Sequence, residues 1–134
     1  MKILGIDYGT RRVGLAVGER TLRSASPLPP LARKTDEALL PGLRRVIDEY
    51  EVDGIVLGLP RYPDGKESAT TARVRGFARF LRRHLGLPVT MVDEVYSSVE
   101  AEELGRGVVH GRDRKGAIDS LSAQVILRRY WEEG

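Results

Sequence analysis

The stretch Lys2-Ile3-Leu4-Gly5-Ile6-Asp7-Tyr8-Gly9-Thr10 decides how the rest of the chain is read. Its apolar run marks a buried strand, and Asp7 falls where that run ends. Gly9 and Gly14 permit a tight turn into Val13-Gly14-Leu15-Ala16-Val17-Gly18, so the two runs form a hairpin. A carboxylate at the tip of a central strand is costly to bury unless a cation meets it. The chain has no cysteine and two histidines, so a hard cation held by oxygen ligands is the natural candidate. The plainer alternative is that Asp7 only starts the turn, a common use of Asp.

Outward from the hairpin, Thr21-Leu22-Arg23-Ser24-Ala25 and Leu28 to Arg33 read as a third strand broken by Pro27, Pro29 and Pro30, which places it at a sheet edge. Asp36 to Tyr50 has helical spacing, with Pro41-Gly42 marking either a kink or the true start. Gly54-Ile55-Val56-Leu57-Gly58 is a short, wholly apolar strand of the central parallel kind, and Leu59 to Lys66 follows as a loop. A helix from about Glu67 to Leu85 turns Val74, Phe77, Ala78, Leu81 and Leu85 inward and Arg73, Arg75, Arg79, Arg82 and Arg83 outward. Val89 to Val92 gives another parallel strand, with Asp93-Glu94 just past its end and Ser97 or Ser98 capping a helix. Gly105 to Arg114 reads as a loop, and a last helix runs from about Lys115 to Glu132. Three β elements followed by helix, strand, helix, strand and helix make a mixed five-stranded α/β sheet with helices on both faces.

At 134 residues, 41% hydrophobic and 31% charged, the chain fits one globular domain spanning residues 1–134. No apolar run approaches a membrane span and no signal-peptide pattern opens the chain, so a cytoplasmic protein is expected, without a membrane partner. The absence of cysteine excludes a disulfide scaffold and thiolate metal sites. Net charge is +3, and of 22 basic residues only four are Lys. Arginine's planar fork suits phosphate oxygens, so a polyanionic partner is expected; coding bias placing Arg on ordinary solvated faces is the alternative.

Ligands bind at strand ends in such sheets. Asp7 ends the first strand and Glu94 follows the last; parallel neighbours would direct both carboxylates from one end. Asp119, in the final helix, shares a face with Ala123, Ile126 and Tyr130, where a charge needs a partner. Its alternative role is an acid in the first helical turn, and Glu94's is a cap or surface acid. Three carboxylates on one side would suit phosphodiester hydrolysis with Mg²⁺ or Mn²⁺. Arg11, Arg12, Arg61, Lys66, Arg112, Arg114 and Lys115 lie in or beside loops and are candidates for flanking phosphates. Tyr8, Tyr62 and Tyr96 are candidates for base stacking, with core packing an equal alternative. His84 reads as solvated, and neither it nor His110 is assigned a role.

Gly5 to Val17 is similar to the opening motif of the YqgF (RuvX) family. Val56 to Pro60 with Asp64-Gly65 resembles its second motif, Asp93-Glu94 with Ser98 to Ala101 its third, and Lys115, Asp119 and Ala123 its last. The resemblance implies a ribonuclease H-like fold and a cytoplasmic, metal-dependent nuclease, with Asp7, Glu94 and Asp119 as metal ligands. It implies two substrates: pre-16S rRNA in ribosome biogenesis, the leading reading, and, by kinship to RuvC, branched DNA at a Holliday junction. Val95 stands where members usually carry Arg. The expected assembly is a monomer or weak homodimer, since a resolvase would need a two-fold pair of sites. Asp7-Tyr8-Gly9-Thr10 also resembles the phosphate loop of actin-like sugar kinases and ATPases, which require two such domains. A catalytically silent RNA-binding assembly module is the third class.

Overall fold

The computed structural model describes residues 1–61, 64, 66–95 and 114–133, with residues 95 and 114–120 described in backbone alone. The chain forms β1 (Lys2–Tyr8), β2 (Arg12–Glu19), β3 (Ser26–Ala32), α1 (Asp36–Tyr50), β4 (Gly54–Arg61), α2 (Ala69–Leu85), β5 (Val89–Val95) and α3 (Arg114–Glu133). The five strands make one sheet in the order β3-β2-β1-β4-β5. β2 is antiparallel to both β1 and β3, whereas β4 is parallel to β1 and β5. The central β1 is thus flanked by its hairpin partner and by the first parallel crossover, as the order of apolar runs requires.

Alternation along β1 sorts its side chains onto two faces. Leu4 and Ile6 join Leu15, Ile55 and Leu57 under α1 and α2, packed on Leu39, Leu43, Val74, Phe77 and Leu81. Ile3, Ala16, Val56 and Val92 face the other way, under Ala123, Ile126, Leu127 and Trp131 of α3. Two cores share one sheet, and both faces carry helices. β1 and β4 are buried on both sides, which explains their unbroken apolar runs.

Several boundaries differ from the sequence reading. Thr21–Ala25 is not strand; β3 begins at Ser26 and holds Pro27, Pro29 and Pro30 within it. It tolerates them because it lies at the sheet edge and pairs only with β2, through a register shift between Val13 and Leu15. α1 begins at Asp36, not at Pro41. Thr35 caps it by accepting the Ala38 N–H at 3.1 Å, so Pro41 lies inside the helix. The ring there removes the one bond that Glu37's carbonyl would accept. β4 runs on to Arg61, and β5 to Val95, because their pairing continues past the apolar segment through Leu59↔Asp93, Pro60↔Glu94 and Arg61↔Val95. Glu94 therefore lies within the last strand rather than beyond it. The helix cap at Ser97 or Ser98 and the loop before Arg114 lie outside the described residues, and Arg114 itself opens α3. Among the described residues, no helix is long and apolar enough to cross a membrane.

Candidate active site at the carboxyl end of the parallel strands

Asp7 pairs with Gly14 across the hairpin and shares its face of β1 with Ile3 and Gly5, the face under α3. On β5, Glu94 lies two residues beyond Val92, so it points to the same face. Both carboxylates therefore sit at the carboxyl end of parallel strands on one side of the sheet. Continuing the β1–β4 pairing past Ile6↔Leu57 sets Asp7 level with Gly58, on the strand between the two acids. Gly58 in turn pairs with Val92, so Glu94 stands two residues further along and the two backbones are about 12 Å apart.

Gly58 narrows that gap. A β-carbon there would stand 2.9 Å from Glu94 Oε2 and 2.6 Å from Ile126 Cδ1, so the bare backbone lets the Glu94 carboxylate lean over β4 towards β1. Gly5 does the same for the helix: its missing β-carbon would meet Leu127 Cγ at 2.7 Å and the Ala123 carbonyl at 3.1 Å. Sequence reading singled out the acids but not Gly58, whose place two residues after the buried Val56 was the available signal.

α3 descends over this face antiparallel to β1. Trp131 lies by Gly18, which pairs with Ile3, while Ala123 and Leu127 lie over Gly5. One turn before Ala123, the backbone at Asp119 is carried towards the end of β1 that bears Asp7. The Asp119 side chain is outside the described residues. Among the described residues, no three acidic or imidazole groups gather closely enough to hold a metal ion. Two of the three expected ligands are thus brought to one end and one face.

The expected phosphate-binding residues divide. Arg12 stands two residues before Gly14, so it shares the face of Asp7, and Arg11 is exposed in the turn between β1 and β2. Arg61 does not join them. It alternates with Leu57 and Leu59 onto the α2 side, where its Nε lies 3.2 Å from Asp93 Oδ1 without the alignment of a hydrogen bond. Lys66 is exposed in the connection to α2; its N–H donates to Asp64 Oδ1 at 2.9 Å, and its Nζ stands 4.0 Å from Oδ2. Arg114 and Lys115 open α3, and their side chains, like Arg112, lie outside the described residues.

Tyr8 is not a base-stacking surface. It points to the α1/α2 side, stacks on Phe77 with centroids 4.0 Å apart, and donates from Oη to Asp36 Oδ1 at 2.6 Å. Burial first, and then that bond, raise its phenol above the ordinary value. Arg33 completes the network: Nε donates to Asp36 Oδ1 at 3.0 Å, Nη1 to the Thr10 carbonyl, and its backbone N–H to the Arg11 carbonyl. The turn bearing Arg11 and Arg12 is thereby tied to the start of α1. Tyr62, Tyr96 and His110 lie outside the described residues; His84 is exposed, its ring 4.4 Å from Phe80.

A mixed five-stranded sheet with acids at the carboxyl ends of two parallel strands, β1 at its centre and β5 at its edge, defines a ribonuclease H-like fold. Its solved neighbours agree. RuvC of Thermus thermophilus in complex with a Holliday junction substrate superposes with a TM-score of 0.56 at 14% identity, over 99% of this chain and 94% of that one. The fowlpox virus Holliday junction resolvase gives 0.56 at 13%, over 99% and 98%. Residues 1–133 match the family model described as RuvX: Holliday junction resolvase, and the chain belongs to that family. Relatives named as candidate pre-16S rRNA nucleases include a Chromobacterium violaceum protein, 39% identical over 132 residues, covering 97% of this chain and 96% of its own. A Maridesulfovibrio salexigens protein of the same name is 41% identical over 131 residues, covering 97% of each.

Proposed function

We propose that this protein is a cytoplasmic nuclease that hydrolyses phosphodiester bonds of structured nucleic acid, with pre-16S rRNA as its substrate, acting as a single domain that is a monomer or a weak homodimer. The observation that carries the proposal is the placement of Asp7 and Glu94 on one face at one end of the sheet, with the Glu94 carboxylate leaning over Gly58. The names of full-length relatives near 40% identity support the choice of RNA.

The donor set fits a hard divalent cation, since carboxylate oxygens suit Mg²⁺ or Mn²⁺ and no thiolate competes. Asp7, Glu94 and Asp119 would hold it, and when bound it would supply positive charge to a scissile phosphate. Arg11 and Arg12, at the same end, hold flanking phosphates and set the register of the strand. The Arg33–Asp36–Tyr8 network keeps their turn from swinging away.

Cleavage of an end-labelled precursor rRNA fragment with Mg²⁺ or Mn²⁺ tests the proposal. Asp7→Asn, Glu94→Gln and Asp119→Asn should each lower the rate by more than about 100-fold while leaving RNA binding in place. Binding without cutting under either metal would reduce the protein to a silent RNA-binding module. Faster cutting of four-way DNA junctions than of RNA would move the substrate to branched DNA.

A further inference from the structure

At the opposite end of the sheet, the turn after β2 and the last turns of α3 enclose a cavity of about 180 Å³ lined by Arg20, Arg23, Tyr130 and Trp131. It lies beyond Glu19, the partner of Lys2 at the start of β1, and so about 20 Å from Asp7 and Glu94 along the strand. We propose that this cavity binds one nucleotide of a single-stranded segment, its phosphate on Arg20 and Arg23 and its base against the two aromatic rings.

The walls have the chemistry for it. Trp131 is only 6% exposed, and its Nε1–H donates to the Ser24 carbonyl at 2.8 Å, which fixes the ring against the turn. Tyr130 packs on it with centroids 5.3 Å apart, and Arg20 Nη2 donates to Tyr130 Oη at 3.1 Å. That single bond leaves the rest of the Arg20 fork available to an anion. The Arg23 guanidinium has no ion-pair or hydrogen-bond partner among the described residues. Arg23 also holds φ at 50°, a left-handed backbone that side chains with a β-carbon rarely adopt. The hairpin loop closed by the Arg23 N–H on the Arg20 carbonyl and the Ser24 N–H on the Glu19 carbonyl calls for that left-handed residue, and it sets the Arg23 side chain at the cavity mouth. Tyr130, the more open of the two tilted rings, offers a face that accepts any base beside the edge of Trp131, and arginine forks accept its phosphate. The volume lies below the roughly 300–1,000 Å³ of pockets that enclose a whole ligand, so a nucleotide would enter in part, with the remainder of its strand left in solvent.

The proposal rests on the nuclease reading only in choosing nucleic acid over another anion. A strand anchored here would present a bond some nucleotides away to the acids, so the site would measure where the cut falls. Trp131 is the sole tryptophan, so its fluorescence reports the cavity directly. With metal chelated by EDTA, adenosine 5′-monophosphate should quench it saturably and bind at least about tenfold more tightly than inorganic phosphate. Arg20→Ala and Arg23→Gly should each weaken that binding about tenfold. Arg23→Gly should at the same time raise Tm, because glycine takes the left-handed backbone freely. No saturable quenching, unchanged affinity in both variants, or phosphate or glutamate binding as tightly as the nucleotide would each overturn the assignment. So would loss of the quench in Asp7→Asn, which would place the nucleotide at the acids. Because the titration requires no cleavage, its failure leaves the nuclease test standing, and a failed nuclease test leaves the titration informative.

Discussion

Two helices of this protein end in the same backbone conformation with different residues. α2 closes on Gly86 at φ 68°, whereas α1 closes on Glu51 at φ 53°. Glycine takes that conformation without a clash and glutamate does not, so Glu51→Gly should stabilise the fold by about 0.5–1 kcal/mol in urea denaturation. Tyr8 offers a second measurement. Its folded pKa is raised above 10.0, so its contribution to stability is complete below pH 10 and is lost as pH climbs through the folded value. Tyr8→Phe should cost about 1 kcal/mol at pH 7, from the lost bond to Asp36, and should remove that alkaline loss from the stability–pH profile. The sequence held a sign of this role. Strict alternation sends Tyr8 to the face opposite Asp7, so the two neighbours cannot serve one site. Arg61 is separated from Glu94 by the same parity, but that could be read only once β4 was known to extend so far.

At the scale of elements, the strands proved longer than their apolar runs. Apolar runs betray burial, but ladder pairing continues wherever the neighbouring backbone is in register, and Pro60, Asp93 and Glu94 looked like loop residues for want of that partner. The parallel crossover and the helical faces were legible because periodicity alone determines them. Gly58 joins the two kinds of information. Gly58→Ala would press on the tips of Ile126 and Glu94, and should destabilise by about 1–3 kcal/mol. It should reduce nuclease activity by more than that loss explains, since the carboxylate is pushed off β4; steady-state rates measured well below Tm separate the effects. The start of α2 is fastened by a capping box, with Ser68 accepting the Thr71 N–H and Thr71 accepting the Ser68 N–H. Thr71, fully buried, also donates to the Pro60 carbonyl. Thr71→Val should therefore cost about 1–3 kcal/mol by leaving that carbonyl unpaired, with a lowered midpoint in denaturant as the readout.

For the whole molecule, the sheet is a wall between two cores, and among the described residues α3 is the helix that seals one of them. Leu127, fully buried against β1, should lose about 2–5 kcal/mol on truncation to Ala, measured by thermal and urea unfolding. Divalent ions should raise Tm of the native chain by several degrees when present at about 100 times Kd, and should do so far less in the Asp7→Asn, Glu94→Gln double variant. The third expected ligand shows why some of the site was not legible. Asp119 is joined to Asp7 only by the direction in which α3 crosses β1, and no local pattern encodes that direction. One border of the wall carries a further consequence. β3 carries Pro27, Pro29 and Pro30 on the sheet's edge, and because neighbouring Pro29 and Pro30 direct their nitrogens to opposite sides, at least one of the amide hydrogens that could template a foreign strand is missing. Crowded copies of the chain are thereby kept from zipping into fibrils along that side. Replacing these prolines with threonine should turn a clear concentrated solution turbid, with growing light scattering over hours.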